Sequence, residues 1–198
     1  MQERRSNSDR SQTTREALLR AARDLFVQRS YAGTGTPDLV AAAGVTRGAL
    51  YHHYADKRAL FQAVIEREAA AVATAVRRAV SDDDPPLEAL LTGSEAFLDA
   101  MAVPGRTRLL LIEAPAVLGR DTMARIDADN GGLTLREGLA AAMTAGVIRR
   151  LPLDAATELL SSAFDRAALA IEAGSDREEW RAVLDALMEG LQTQPNQR

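Results

Sequence analysis

The segment TPDLVAAAGVTRGALYHHYADKRAL, residues 36–60, carries the strongest structural signals in the chain. Thr36, followed by Pro37 and an acidic residue, is typical of a helix start in which Thr36 is the N-cap. Gly44 favours the left-handed conformation that ends a helix, and Thr46 begins the next helix almost at once. The segment therefore predicts two short helices joined by a turn of three residues that starts at Gly44, the arrangement of a helix-turn-helix.

The rest of the chain predicts more helices and gives no alternating pattern of strands. A first helix is expected to begin at Thr13, where Thr13 and Glu16 would form a capping box, and to end near Ser30. Another helix, capped by Asp56, is expected over 57–81. Further segments with apolar residues at helical spacing are 87–101, 106–118, 122–130, 133–145, 154–173 and 177–192. We therefore expect an all-α fold.

The composition narrows the classes of function. The 198 residues, 46% of them apolar, can form a packed core, and no apolar run is long enough to span a bilayer. The polar N-terminus does not resemble a signal peptide, so the protein is expected in the cytoplasm and away from the membrane. There is no cysteine, and both histidines, His52 and His53, are adjacent. Disulfides and thiolate metal sites are therefore excluded, histidine metal sites and Ser-His-Asp chemistry have almost no residues to draw on, and no cofactor or metal is expected.

The charge is distributed unevenly along the chain. Residues 1–60 carry a formal charge of +4 and residues 61–198 carry −8, within a total of −4. No carboxylate lies between Asp38 and Asp56, so nothing on that stretch would repel a phosphate backbone. A cationic end on an acidic body suits a protein that binds a polyanion. On charge alone, a solvated basic surface explains the asymmetry equally well.

A helical wheel separates two faces of the second short helix. With Leu50 facing inward and 100° of rotation per residue, Tyr54 falls on the buried side. The outer face and its flanks then carry Arg47, Gly48, Ala49, Tyr51 and His52. Small and basic residues on an exposed face allow a helix to come close to base edges and phosphates, so this helix is expected to enter the major groove of DNA.

At these residues the sequence resembles the tetracycline-repressor (TetR) family of one-component regulators. The resemblance covers about residues 13–62 and consists of the segment 36–60, preceded by Phe26 and Tyr31-Ala-Gly. Leu39-Val40 stands where the family usually has Ile-Ala, Thr46 where serine is common, and Tyr54 where phenylalanine is common. None of these departures removes a hydrogen-bond donor.

The resemblance implies a role for each matching residue. Phosphate contacts fall to Thr36, Thr46, Tyr51, His53 and Lys57, with the Lys57 ammonium aimed at a phosphate from the start of its helix. Base contacts fall to Arg47, Gly48 and His52, with Arg47 directed to guanine O6 and N7. His53 could equally be a buried polar residue bonded to a carbonyl.

The resemblance also implies a second helical domain that binds an effector and forms a dimer. The expected division is a flexible tail at 1–12, the helix-turn-helix domain at 13–60, the second domain at 61–193 and a tail at 194–198. The stretch 108–119 resembles a segment in a subset of the family, and its Pro115 should kink or end a helix, a device often found beside cavities. An apolar pocket could be lined by Phe97, Met101, Leu110 and Met143, although apolar residues at helical spacing are more often ordinary core.

The last two predicted helices are the candidates for a dimer interface. Their broad apolar stripes, with small alanines that permit close approach, suit a four-helix contact between two chains. The residues assigned to this interface are Ala163, Phe164, Ala167, Ile171, Trp180, Leu184, Leu187 and Leu191.

The helix-turn-helix predicts a homodimer that binds double-stranded DNA at a near-palindromic operator. The family resemblance implies that a small-molecule effector releases it. Repression is the expected outcome, with activation as the alternative. An enzyme is not expected, because the sequence has no phosphate-binding glycine loop, nucleophile elbow or cluster of metal ligands. A helical protein-interaction module without DNA binding is a further alternative.

Overall fold

The computed structural model describes residues 7–81 and 83–193, and helices make up the regular structure of that part. The first four helices are α1 (Asn7–Arg29), α2 (Thr36–Ala43), α3 (Arg47–His53) and α4 (Lys57–Ala79). Those that follow are α5 (Pro86–Met101), α6 (106–118), α7 (Arg120–Ala128), α8 (Gly131–Thr144), α9 (Leu153–Glu172) and α10 (Arg177–Glu189). An isolated antiparallel bridge joins Ile148 to Gln192. The expected all-α fold is confirmed.

The helix α6 changes its winding along its length. It is α-helical over Arg106–Arg108, π-helical over Leu109–Glu113 and α-helical again over Ala114–Leu118. Pro115 therefore lies at the start of an α-helical turn, where a missing N–H is tolerated. The helix continues past Pro115 to Leu118, so the widened turn accommodates a residue that was expected to kink or end it.

Two helix starts differ from the sequence-based expectation. The helix α1 begins at Asn7, so Thr13 lies inside it and cannot cap its start. Of the tail expected at 1–12, residues 7–12 belong to α1, while residues 1–6 and the tail expected at 194–198 lie outside the described residues. The N-cap of α2 is Gly35 and not Thr36. The Gly35 N–H donates to Asp38 Oδ2 at 3.1 Å, and this hydrogen bond supports the first turn of the helix.

The first three helices pack around a core that continues into α4, α5 and α6. Side chains with no exposed surface come from all three: Leu18, Phe26, Leu39 and Leu50. The Phe26 ring meets Phe61 of α4 edge to face, with ring centroids 5.1 Å apart. The helix-turn-helix therefore rests on α4 through shared aromatic packing.

The remaining helices form the body of the molecule. The helix α4 packs on α5, α8 packs on α5 and α9, and α10 packs on α5 and α9. Two further apolar clusters fill this body, one around Leu139, Ile148 and Met188, the other around Leu98, Phe164 and Leu184. Within residues 7–81 and 83–193, no helix has the length and apolar character needed to cross a membrane.

A buried ionic cluster joins the helix-turn-helix to the body. The Glu68 side chain of α4 is 6% exposed, and it accepts from Arg23 Nε of α1 at 3.1 Å and from Arg106 Nε of α6 at 2.8 Å. Burial alone would raise the pKa of Glu68, but the hydrogen bonds from Arg106 and Arg23 outweigh it and hold the pKa below its ordinary value of 4.5. Three helices are thus held at one carboxylate.

Removing this charge should destabilise the protein. Glu68→Gln leaves two half-buried arginines without their counter-charge, and we expect a loss of about 3 kcal/mol in the free energy of unfolding. Urea unfolding at fixed protein concentration measures it. Because the pKa of Glu68 is lowered in the folded state, its contribution is present above pH 4.5 and is lost as the pH falls through that lower pKa.

The matched control is Glu16→Gln, since Glu16 also joins α1 to α4 by accepting from Arg67 Nη1 at 3.1 Å. That pair is exposed, so its loss should lower stability by less than about 1 kcal/mol. Equal losses for the two variants would contradict the assignment of Glu68 as the central ionic contact.

Candidate nucleic-acid interface

The corner between α2 and α3 is built by Gly44. Its φ of 65° is the left-handed conformation expected from the sequence, and no atom lies within 4 Å of where a Cβ would stand. Backbone conformation, and not space, therefore requires glycine here. The Val45 N–H donates to the Val40 carbonyl at 3.0 Å, which closes the end of α2 and directs the chain into α3.

The helix α3 has the two faces expected from the helical wheel. Leu50 has no exposed surface and Tyr54 is 7% exposed, so both belong to the core. The opposite face is open to solvent at Arg47, Gly48, Tyr51 and His52, with Ala49 partly covered. The nearest atom to a Cβ on Gly48 would be Thr46 Oγ1 at 3.8 Å, so the protein places nothing over that position.

Arg47 and Tyr51 interact one turn apart on the outer face. The Arg47 guanidinium lies 5.5 Å from the centroid of the Tyr51 ring. The hydrogen bond from Arg47 lowers the pKa of Tyr51, and a weaker contribution from the hydroxyl of Thr36, on α2, lowers it further. Thr36 is half-buried, so this contact brings the start of α2 beside the outer face of α3.

Thr46 is the N-cap of α3. Its Oγ1 accepts from the Ala49 N–H at 3.1 Å, and the residue is exposed. A capping hydroxyl uses a lone pair in this bond and keeps its O–H available as a donor. Thr46 can therefore cap its helix and donate to a phosphate at the same time.

The two histidines lie on different sides of α3. Their ring centroids are 5.3 Å apart with the planes at 75°, and His52 is exposed whereas His53 is half-buried. Burial lowers the pKa of His53, and the nearby charges of His52 and Arg15 lower it further. The neutral form of His53 is thereby favoured near pH 7, so this ring suits a hydrogen bond better than a charged contact.

Lys57 is placed differently from the expectation that its ammonium points at a phosphate. Its Nζ donates to the carbonyls of Tyr31 and Thr34, both at 2.9 Å, and lies 4.0 Å from the centroid of the Tyr31 ring. Two of the three N–H donors of the ammonium thus hold the loop between α1 and α2. The expectation that Lys57 contacts a phosphate is therefore corrected, because the two loop carbonyls bind its charge within the protein.

Sequence reasoning missed the contacts that connect α6 to α1, to the loop after α1 and to α4. Arg58 of α4 donates to the Leu118 carbonyl at 2.9 Å, and Arg108 of α6 donates to the Phe26 carbonyl at 3.1 Å. The Tyr31 N–H donates to Glu113 Oε2 at 2.6 Å. These bonds join residues far apart in the chain, and no local pattern could have indicated them.

Two adjoining cavities lie in the body, with volumes of about 570 and 940 Å³. Phe97 lines both, and Met101 and Leu110 line the larger one, as the sequence suggested. Met143 instead packs against the apolar cluster around Leu139, and we correct its assignment to a pocket.

The residues assigned to a dimer interface divide into two groups. Phe164, Ala167 and Leu184 are at most 6% exposed and fill the core of the single chain, so their assignment to an interface is corrected. Half-buried positions are Ala163, Ile171, Trp180 and Leu191, whereas Leu187 is 48% exposed. The large apolar side chains left open on α9 and α10 are Leu159, Val183 and Leu187.

Comparison with known protein families gives two adjacent matches. Residues 18–64 match the model of bacterial regulatory proteins of the tetR family. Residues 87–191, just over half of the chain, match the model of the tetracyclin repressor-like C-terminal domain. The first match covers the helix-turn-helix and the second covers the body from α5 to α10.

Individual relatives agree with these matches. The repressor BepR of Brucella suis is 35% identical over 98 residues, which is 49% of this chain and 47% of BepR. The activator FasR of Mycolicibacterium smegmatis is 29% identical over 123 residues, 62% of this chain and 56% of FasR. The chain thus spans about half the length of the curated relatives it matches.

A solved structure extends the similarity to nearly the whole chain. The structure of a TetR-family transcriptional regulator from Pectobacterium atrosepticum has a TM-score of 0.73 and 29% identity, and covers 97% of this chain and 100% of that one. Together with the two family models, it establishes that the chain belongs to the TetR family of bacterial regulatory proteins.

Proposed function

We propose that two copies of this protein bind a near-palindromic operator in double-stranded DNA and regulate transcription from it. The observation that carries this proposal is the outer face of α3, which is exposed, free of carboxylates and occupied by Arg47, Gly48, Tyr51 and His52. A helix with such a face fits the major groove, and a two-fold pair presents it to successive grooves.

The proposed contacts follow from where each side chain lies. Arg47 and His52 project into solvent and are assigned to base edges, with Arg47 directed to guanine. Phosphates are assigned to the hydroxyls of Thr36, Thr46 and Tyr51, and to the His53 ring. Gly48 and Ala49 are assigned a close approach to the DNA because they have little or no side chain.

The proposed response to an effector uses the bonds that connect α6 to the helix-turn-helix. Leu110 of α6 lines the larger cavity, while Arg108 and Glu113 on the same helix bind the end of α1 and the residues after it. A small molecule that shifts α6 would favour a state in which the two α3 helices are spaced wrongly for DNA. We therefore propose release of the operator by a bound effector.

Repression is the proposed outcome, since BepR is a repressor, and activation is the alternative, since FasR is an activator. No catalytic activity is proposed. Deleting the gene and measuring transcripts from the promoter nearest the bound operator distinguishes the two outcomes: a rise supports repression and a fall supports activation.

Arg47→Ala should weaken operator binding strongly. An arginine that contacts guanine contributes about 1–3 kcal/mol to discrimination between bases, so we expect a loss of roughly 5- to 150-fold in affinity. Fluorescence anisotropy with DNA from upstream of the protein's own coding sequence, at two salt concentrations, measures it.

Arg150→Ala serves as the control, since Arg150 is an exposed arginine in the loop between α8 and α9 and its removal changes the net charge equally. It should leave binding almost unchanged. Equal losses for Arg47→Ala and Arg150→Ala, or binding that does not weaken with salt, would argue against the proposed interface.

Gly48→Ala should change stability and DNA binding in opposite directions. The protein leaves room for a methyl group at this position, and alanine favours a helix over glycine by about 1 kcal/mol. Urea unfolding should therefore give an equal or greater stability, while the added methyl should weaken operator binding by about 1 kcal/mol or more. Unchanged DNA affinity in the stabilised variant would remove Gly48 from the contact surface.

Leu187→Glu should dissociate the proposed dimer. Val183 and Leu187 are 57% and 48% exposed and stand one turn apart on α10, where they offer an apolar face to a second copy. A buried charge at that face should raise the dimer dissociation constant by more than about tenfold, as measured by sedimentation. Ile112→Glu on α6, an exposed apolar position at 52%, is the control and should leave the dimer intact.

A further inference from the structure

The smaller cavity has the size and walls of a site for an organic molecule. Its volume is about 570 Å³, and its apolar lining includes Leu90 and Phe97 of α5, Leu135 of α8 and Phe164 of α9. Small-molecule sites in proteins commonly fall in this range and combine apolar walls with a few polar groups. The chemistry of the polar groups then decides which class of molecule the cavity accepts.

Two carboxylates stand where the smaller and the larger cavity adjoin. Asp127 at the end of α7 and Asp165 in the middle of α9 line both. Asp127 keeps part of its surface in solvent and accepts from the Gly132 N–H, but the surrounding protein still removes enough water from its carboxyl to raise its pKa. Asp165 is half-buried, and among the described residues its carboxyl group makes no ion pair or hydrogen bond. Burial, assisted by the charge of Asp127, raises the pKa of Asp165 to about 7.

The surroundings do not neutralise these acids. Arg77, which is exposed, is the one basic residue of the described chain that lines the smaller cavity. In the larger cavity, Arg136 is paired with Asp154 at 3.1 Å, and Arg120 is exposed. The other acidic residues that line the two cavities are Asp84, Glu137 and Glu158. The walls are thus acidic overall, without a counter-charge assigned to Asp165.

A buried hydroxyl gives independent evidence for a ligand. Ser94 is 4% exposed and lines the smaller cavity, and its Oγ has no hydrogen-bond partner within the described part of the chain. By contrast, the buried Thr107 donates to the Met101 carbonyl at 2.9 Å. Buried polar atoms are nearly always paired, so an unpaired hydroxyl on a cavity wall indicates a partner that enters the cavity.

We propose that this cavity binds a hydrophobic organic cation, with its apolar body packed against the contacting rings of Phe97 and Phe164 and its positive charge beside Asp127 and Asp165. A cation would supply the counter-charge that Asp165 lacks, and a ligand with an N–H donor would also satisfy Ser94. An anion would meet two carboxylates and acidic walls, so repulsion should make it bind more weakly than a cation. The cation site stands on the cavity alone, whereas its use as the effector site rests on the proposed function.

A pair of ions with one shape and opposite charges tests the proposal. Isothermal titration calorimetry of the full chain with tetraphenylphosphonium and with tetraphenylborate should give at least about tenfold tighter binding of the cation. Equal affinities, tighter binding of the anion, or no binding of the cation at millimolar concentration would overturn it. So would calcium or magnesium binding that displaces tetraphenylphosphonium, because the site would then be one for a metal ion.

Substitutions identify the carboxylates that bind the cation. Asp165→Asn and Asp127→Asn should each weaken tetraphenylphosphonium binding at least about tenfold, and asparagine can still accept the Gly132 N–H. Glu172→Gln removes an exposed acid from the same helix as Asp165 and should have no effect. Ser94→Ala should leave this probe's affinity unchanged, because the probe has no donor. Equal affinities for the two aspartate variants and the unsubstituted protein would place the charge elsewhere and contradict the proposal.

The pH dependence provides a second readout. The cation prefers ionised Asp165, whose pKa is about 7, so affinity should rise between pH 6 and 8 and then level off. In Asp165→Asn this rise should disappear. Affinity that is flat with pH in the unsubstituted protein, or a rise that persists in the variant, would contradict the role of Asp165.

Operator binding, measured separately, distinguishes this inference from the proposed function. If tetraphenylphosphonium binds as expected but does not release the DNA, the cation site stands and its role as effector site is wrong. If the protein binds no DNA, the proposed function fails, while the calorimetric result still decides the cation site.

Discussion

The Glu68 carboxylate lies between two arginines that belong to different parts of the chain, Arg23 on α1 and Arg106 on α6. An ionised carboxylate in a protein interior is stable only when its hydrogen bonds are supplied in full, so these partners cannot separate without a large penalty. Each arginine also donates to a backbone carbonyl: Arg23 to that of Pro104 and Arg106 to that of Ala100. The orientation of the helix-turn-helix relative to the body is therefore fixed at this point, and the rest of the architecture is arranged around it.

The helix α6 is bonded to the rest of the protein at both of its ends. Its first turn is held at Glu68, while its far end receives the Arg58 bonds at Val117 and Leu118. Between these ends, the π-helical turn departs from regular winding, and π-helical turns are frequent at functional sites. A displacement in the middle of α6, where Leu110 faces the larger cavity, must therefore strain contacts with both α1 and α4. In the proposed response, a ligand in the larger cavity would act on α3 through these contacts with α1 and α4.

Local sequence patterns predicted the helix-turn-helix well and the body less well. The Gly44 corner, the Thr46 cap and the buried side of α3 depend on residues a few positions apart, so the sequence contains the information directly. Lys57 and Phe164 were assigned wrongly for a different reason: their partners come from elements distant in the chain. A helical stripe indicates that a face is buried, but it does not indicate whether its own chain or a second copy covers it. The shift of the α2 cap from Thr36 to Gly35 is a smaller error, within the usual uncertainty of helix ends.

The two proposed sites have opposite electrostatics, and this limits how they can communicate. The outer face of α3 is free of carboxylates, whereas Asp127 and Asp165 leave the cavity acidic. A cation in the cavity would not compete with DNA for the same charges, so any effect on DNA binding must pass through a change of conformation. Such coupling is reciprocal: if the ligand weakens DNA binding by some factor, DNA weakens ligand binding by the same factor. If the effector shifts α6 as proposed, the affinity for a cation should therefore depend on whether DNA is bound, and the bonds of Arg58, Arg108 and Glu113 are the contacts through which such a shift would reach α1 and α4.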